Sequence, residues 1–289
     1  MVWRHLALVA SLFTWQMAAA GRGIEDAGGY HHHSNQQWQA AIETMDEHSW
    51  IGNERVLDVG CGDGKVTALL AKWVPQGFVV GVDISSKMIE FAASSFTQEQ
   101  YSNLSFRQGD AASIVFPEQF DLVVSFSALH WVVDQAAALH RIHESLVAGG
   151  RCLLLTYAKG PANMMTLSEG LVRSEKWTSY FPSFTKSRVY FTAEEYTSLL
   201  ESAGFGSIKI KTIIRDSVFP DKQAVIDWLR PVATFLAHLS QDLQDEFLRD
   251  LAEEMILCSA VQLGDAIHIQ LNELEVVASK MAKQLSAEG

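Results

Sequence analysis

The chain has 289 residues, 48% of them hydrophobic, which is enough for one large α/β domain or a domain with a cap. Its formal net charge of −12 excludes bulk binding of nucleic acid, because nothing in it neutralises phosphates over a surface. Cys61, Cys152 and Cys258, its three cysteines, show neither metal-ligand nor disulfide-framework spacing, so no metal is expected and a reducing compartment is.

Met1 to Ala20 carries one early arginine, Arg4, an apolar run from Leu6 to Trp15, and Ala18-Ala19-Ala20 before Gly21. That is the shape of a secretory signal with a small-residue cleavage site. Thr14 and Gln16 interrupt the run, which is too short to span a membrane. An amphipathic lead-in helix and an upstream start codon are the competing readings, and residues 1–24 are set apart from the fold. His31, His32 and His33 follow; three adjacent histidines cannot all face one ion, and no acid or cysteine stands at ligand spacing. Gln36 to Met45 is expected as a helix carrying Trp38.

Arg55-Val56-Leu57-Asp58-Val59 reads as a strand buried in a parallel sheet, and it runs into Gly60, Gly62 and Gly64 at alternate positions. Lys65 to Lys72 then presents its apolar positions on one helical face. Strand, glycine turn and helix form the ligand-cradling half of a doubly wound fold, whose ligands bind beyond the carboxyl ends of the strands. Spacing separates two cofactors here. A dinucleotide site has Gly-x-Gly-x-x-Gly with a pyrophosphate at the helix N-terminus. This chain has Gly-x-Gly-x-Gly, with Asp58 just before it and Asp63 inside it. Those carboxylates would repel a pyrophosphate and suit a ligand carrying positive charge, so a dehydrogenase is disfavoured.

The turn resembles the first motif of the class I S-adenosylmethionine-dependent methyltransferases, Asp-x-Gly-x-Gly-x-Gly. The resemblance implies an α/β fold with a doubly wound, mostly parallel seven-stranded sheet and S-adenosylmethionine as cofactor. It also implies a cytoplasmic protein, since the methyl donor is made in the cytosol; a working signal in residues 1–20 would make it secreted or periplasmic instead. In that family a Tyr/Ser/Gln-bearing segment ahead of the first strand covers the cofactor. Tyr30, Ser34 and Gln37 are the matching positions, with an exposed linker as the alternative.

Phe78 to Asp83 is the second strand, and Asp83 comes 19 positions after Gly64. An acid near that distance accepts hydrogen bonds from ribose hydroxyls. Ile84 and Met88 either sandwich the adenine or belong to the core. Leu104 to Gln108 is strand three, ending at Asp110 and Ala111; Asp110 resembles the family residue that accepts the adenine amino group. Phe120 to Ser125 is strand four, and Leu129-His130-Trp131 follows where such folds place the reacting methyl. His130 is the one well-placed candidate for acid–base chemistry, or else a residue that packs and orients this loop. Asp134 to Val147 is an amphipathic helix ended by Gly149-Gly150, and Arg151 to Tyr157 is strand five. The cofactor-binding core is thus expected over 25–160.

Residues 161–289 hold the remaining strands and a helical substrate lid inserted before the last one. Leu171 to Tyr190 is aromatic and basic, and Thr192-Ala193-Glu194-Glu195 opens a helix as a capping box does. Ser207 to Arg215 alternates as a strand, Asp221 to Gly264 is almost wholly helical, and Ala266 to Val277 alternates again. Asp227-Trp228-Leu229-Arg230-Pro231 and Asp245-Glu246-Phe247-Leu248-Arg249 resemble trans-aconitate methyltransferases and related small-acid methyltransferases. An arginine in a lid binds a carboxylate bidentately or simply covers a helix end. Arg230 is the first candidate and Arg188 the second.

The expected cofactor set is therefore Asp58, Gly60, Cys61, Gly62, Asp83, Ile84, Met88, Asp110, Ala111 and Ser125. The expected acceptor set is Tyr30, His130, Trp131, Arg188 and Arg230. The function expected is methylation of a small molecule, foremost O-methylation of a carboxylic acid, which is already ionised near neutral pH and needs no base. Carbon or nitrogen methylation of a lipid or secondary metabolite, and cofactor binding without catalysis, are the alternatives. No stable membrane span and no nucleic-acid partner are expected, and the oligomeric state is open.

Overall fold

The computed structural model describes residues 23–46, 48–160, 163–263 and 266–282. The expectation about residues 1–20 lies outside them, as does Gly264. In chain order the elements are α1 (Ala27–His33), α2 (Asn35–Asp46), β1 (Arg55–Val59), α3 (Lys65–Trp73), β2 (Phe78–Asp83), α4 (Ser86–Ser95), β3 (Leu104–Gln108) and β4 (Phe120–Phe126). There follow α5 (Gln135–Ser145), β5 (Leu146–Tyr157), α6 (Met164–Val172), α7 (Ala193–Ser202), β6 (Phe205–Phe219), α8 (Lys222–Leu229), α9 (Gln241–Ser259), β7 (Ala260–Leu263) and β8 (Ala266–Lys280).

β1 is buried from Val56 to Val59 because strands flank it on both sides and helices cover both faces. It pairs in parallel with β2 from Arg55↔Phe78 to Val59↔Val82, and with β4 from Val56↔Leu122 to Asp58↔Val124. Seven strands run in the order β3-β2-β1-β4-β5-β8-β6, the first five parallel and β8 antiparallel to both neighbours; β7 adds only to β8. This is the expected mostly parallel seven-stranded sheet. The order reverses between β1 and β4, and a ligand crevice opens at such a switch point.

Alternation along the strands builds two cores. Leu57, Phe120 and Val123 meet Leu139 and Ile142 of α5 and Tyr196 and Leu200 of α7. Val56, Leu122 and Val124 meet Met45 of α2 and Leu70 of α3 on the other face. Asp134 caps α5 by accepting from Ala137 N at 3.0 Å. Thr192 and Glu195 form the reciprocal capping box on α7.

Three boundaries differ from the sequence reading. Gly149-Gly150 does not end a helix: α5 stops at Ser145, and Val147 to Gly150 form a bulge inside β5. There the register passes from Phe120↔Leu146 directly to Leu122↔Arg151, and Gly149 takes φ +80°. The region expected as almost wholly helical is broken by 3-10 turns at Arg230–Val232 and Thr234–Leu236, where Pro231 has no N–H to continue α8. The final strands are longer than expected, so β6 and β8 pair from Phe205↔Lys280 to Phe219↔Ile267.

That extra length carries a third core. Phe219, Ile269 and Leu271 from the far ends of β6 and β8 pack with Met164 and Val172 of α6, Trp228 and Leu229 of α8, and Phe247 and Leu251 of α9. Phe247 is fully buried against the rings of Trp177 (4.9 Å), Phe181 (5.4 Å) and Phe235 (5.7 Å). Phe247→Ala should cost about 3–5 kcal/mol, read from chemical denaturation, because three aromatic groups lose their common neighbour.

Candidate active site

The glycine turn after β1 is held open by backbone bonds. Gly60 N and Cys61 N both donate to Val82 O, at 2.7 and 3.0 Å, so the turn is tied to the end of β2. Gly60 has φ +78°, and a Cβ there would sit 2.2 Å from the Ala128 Cβ. Any side chain at this position would collide with the loop after β4. At Gly62, with φ +53°, a Cβ would meet only Tyr30, 3.7 Å away, so the backbone faces open space beside the cavity.

Asp83 ends β2 and braces this turn: Oδ2 accepts from Gly62 N at 3.0 Å and Oδ1 from Ser85 N at 2.9 Å. Burial pushes its carboxyl up from the usual range despite those bonds. Asp58 lies behind the turn and accepts from Thr67 Oγ1 at 2.8 Å. Burial, with Asp83 and Asp63 nearby, pushes it up to about 7. Asp63 receives His31 Nδ1 at 2.8 Å. Lys65 Nζ donates to His31 O at 2.7 Å and to Ser34 Oγ at 2.9 Å, which fastens α1 over the turn.

A cavity of about 430 Å³ opens at the carboxyl ends of β1, β2 and β4. Gly60, Gly62, Asp83, Ile84, Met88, Asp110 and Ala111 line one part of it, as Tyr30 does, together with Gln37. Asp58 and Cys61 border a smaller adjoining recess of about 40 Å³ beneath the turn, with Asp63 and Lys65. The Cys61 Sγ packs where a Gly81 side chain would be, 3.0 Å from that position. Ser125 is not brought to the cavity: it is fully buried and its Oγ donates to Val59 O at 2.7 Å, so it stitches β4 to β1. This end presents carboxylates and open glycine backbone, while its one lysine is committed to α1. It fits a nucleoside cofactor carrying positive charge and no phosphate.

The opposite part of the cavity is aromatic and apolar, with His130, Trp131, Tyr157, Met164, Tyr190 and Trp228 in its wall. Arg188 lies among them with 3% of its surface exposed, its guanidinium carbon 3.7 Å from the centre of the Trp131 ring. Nη2 donates to Val232 O and Nη1 approaches Met164 Sδ at 3.6 Å. Among the described residues no carboxylate pairs with it and no other lysine or arginine lines the cavity. Desolvation pulls its proton affinity down to about 10. Arg230, the first candidate, is half exposed, pairs with Asp245 and does not line the cavity. The structure thus places Arg188 in the cavity wall and Arg230 outside it, because the break at Pro231 turns Arg230 outward onto α9.

His130 is 4% exposed, with Tyr157 at 4.8 Å and Tyr190 stacked at 6.1 Å. Its Nδ1 has no partner, and burial, then Arg188, hold its pKa well below the usual value, so the ring is neutral. Gln135, which the sequence reading missed, fixes the loop: its amide donates to Leu129 O and to Val132 O, the latter at 2.6 Å. Tyr157 was also missed, although its place at the carboxyl end of β5 was a usable signal. Trp228 and Tyr190 had none, since only tertiary packing brings them in.

A methyltransferase-domain profile matches residues 52–261 of this sequence. The chain belongs to the methyltransferase-domain family. Among its relatives, the juvenile hormone acid O-methyltransferase of Bombyx mori is 28% identical over 286 residues, covering 91% of this chain and all of that protein. The trans-aconitate 2-methyltransferase of Deinococcus radiodurans is 30% identical over 187 residues, 62% of this chain and 69% of that one. In fold it is similar to the YcgJ protein of Bacillus subtilis, with a TM-score of 0.58 and 20% identity over 84% of this chain and 98% of that one. It is similar also to phosphoethanolamine N-methyltransferase 2 of Haemonchus contortus, solved with S-adenosyl-L-methionine, with a TM-score of 0.56 and 21% identity over 85% and 53% of the two chains. This chain is an S-adenosylmethionine-dependent methyltransferase with a Rossmann-like sheet. No helix among the methyltransferase's described residues is long and apolar enough to cross a membrane.

The buried Asp58 sets a pH dependence. The folded carboxyl keeps its proton to about 7, against 3.8 for an ordinary one, so between those values the native state binds more protons than the unfolded chain. Stability therefore falls as pH rises through that window and levels off above it. Asp58→Asn, which keeps an oxygen for Thr67, should flatten that slope in denaturation curves taken from pH 4 to pH 8.

Proposed function

We propose that this methyltransferase esterifies a small monocarboxylic acid whose remaining body is apolar. The observation that carries this reading is Arg188: a buried guanidinium with no carboxylate partner, in a wall otherwise made of aromatic and apolar side chains. A buried ion without a counter-charge is costly, and an acid entering the cavity would supply one. An acid with several carboxylates would call for several cations, and Arg188 is alone among the described lining residues. Two of the relatives are named for action on acids, juvenile hormone acid and trans-aconitate, which supports the same acceptor class.

In this reading Asp83 would receive the ribose hydroxyls, Ile84 and Met88 would hold the adenine, and Asp110 with Ala111 would meet its edge. Gly60, Gly62 and Asp58 stand nearest the charged end, with Tyr30 above them. When bound, S-adenosylmethionine supplies an electrophilic methyl group. Arg188 orients the acid, and Trp131 backs the guanidinium. The carboxylate arrives ionised, so no residue has to take a proton, and the depressed basicity of His130 is no handicap. Residues 25–160 act as the cofactor-binding core, and α6, α8 and α9 within 161–289 act as the lid that keeps water from the acceptor. The three free thiols agree with work in the cytoplasm, where the methyl donor is made.

Two variants test this by mass spectrometry of methyl esters formed from a panel of monocarboxylic acids. Arg188→Met should lower kcat/KM for the acid by about a hundredfold or more, because the carboxylate loses its charged partner. Binding of S-adenosylmethionine, followed by calorimetry, should persist, and thermal stability should hold or rise since no ion pair is broken. Unchanged turnover in this variant would refute the acid reading. His130→Gln should keep acid turnover within about tenfold, whereas loss of a general base costs roughly a hundred- to ten-thousandfold.

A further inference from the structure

Trp228 lies on α8, lines the cavity with 6% of its surface exposed, and has an indole Nε1–H without a hydrogen-bond acceptor. An indole nitrogen only donates, and buried donors are nearly always satisfied, so an orphan in a cavity wall marks the place of a ligand's acceptor atom. Its surroundings offer none: the Phe219 ring lies 5.5 Å away, and Trp228 belongs to the apolar core shared with Leu229 and Leu271.

Trp228 lines the same cavity as Arg188, and a short stretch of chain links the two. The carbonyl that accepts from Arg188 Nη2 belongs to Val232, in the 3-10 turn that follows α8 shortly after Trp228. Ala233 N donates to Leu229 O at 3.0 Å, which ties the 3-10 turn at Pro231 back to the end of α8. The guanidinium has already committed one nitrogen to Val232 O and turned another toward Met164 Sδ, a weak acceptor. What remains of its fork falls short of the roughly four acceptor positions of a carboxylate. A second donor is needed, and α8, which leads into the turn that anchors Arg188, carries one.

We infer that the Nε1–H of Trp228 and the guanidinium of Arg188 together form the receptor for the acceptor's carboxylate, one holding each side of it. This rests on the monocarboxylic-acid reading above and adds to it the residue that fixes how the acid is turned. Arg188 supplies charge, which attracts any anion. Trp228 supplies direction, which selects one carboxylate orientation and holds the other oxygen free to react.

The test compares the full-length wild type, Trp228→Phe and Arg188→Met, with straight-chain fatty acids up to dodecanoate as acceptors. Ester formation is followed at saturating S-adenosylmethionine, and thermal stability is measured alongside. Trp228→Phe keeps a ring in the apolar core and deletes the N–H. It should raise KM for the acid roughly ten- to a hundredfold, the usual effect of one hydrogen bond to a charged group. Its kcat should change less than its KM. Its melting temperature should not fall on account of the N–H, since no intramolecular bond is lost. Wild-type KM in Trp228→Phe, with acid turnover lost in Arg188→Met, would overturn the inference and leave the acid reading standing. Methylation of none of the acids, or full activity in Arg188→Met, would overturn both. A melting temperature and a cofactor affinity that fall together in Trp228→Phe would make the residue structural and also overturn the inference.

Discussion

Burying charge without a partner is expensive in a protein interior, and this chain does it at both ends of one cavity. Asp83 stands at one end, with Asp58 behind the glycine turn in the adjoining recess, both kept from water and pushed toward their protonated forms. Arg188 stands at the other, stacked on Trp131 with no carboxylate to answer it. Much of the surrounding architecture serves to keep these groups in place and apart. Val82 O gathers the glycine turn, Thr67 holds Asp58, and Gln135 ties down the loop that carries His130 and Trp131. The result is a cavity with opposite polarity at its ends and apolar walls between. On the proposed reading a cationic methyl donor meets the carboxyl end and an anionic acceptor meets Arg188.

The part of this arrangement that was legible in the sequence is the part written locally. β1 and its glycine turn, the cap of α5 at Asp134 and the capping box of α7 depend on neighbours within a few residues, so their spacing alone identifies them. Asp83, Asp110 and Ala111 were legible because the carboxyl ends of parallel strands converge on one crevice. Ser125 stands at such an end too, yet its hydroxyl faces back into the sheet, and only the register with Val59 reveals that. Arg188 and Arg230 were indistinguishable as letters. Which of them is buried depends on Pro231 breaking α8 and on Asp245 waiting on α9, both long-range facts. The bulge at Gly149 was hidden for a related reason: a glycine pair ends a helix and kinks a strand with the same local chemistry.

The region beyond the sheet is not a separate body hung on a linker. β6 and β8 contribute Val276 and Leu274 to the sheet's core and Phe219, Ile269 and Leu271 to the core of α6, α8 and α9. The same two strands thus belong to both layers, and the aromatic wall of the cavity inherits the rigidity of the sheet. On the other side of the cavity, α1 is fastened by two side chains, His31 and Lys65, to the turn that it covers. Contacts of that kind reform readily, whereas a shared apolar core does not.

The solitary guanidinium has a consequence for turnover. In the proposed esterification an acid enters as an anion and leaves as a neutral ester, so the reaction erases the charge by which the pocket holds its guest. Substrate and product differ little in shape but greatly in their attraction to Arg188. Once the methyl group is in place, the arginine is again a buried ion facing an uncharged oxygen. Water or the next acid molecule then serves it better than the ester does. The chemistry itself thus favours emptying the site, and a pocket built around one unpaired cation is protected against clogging by its own product.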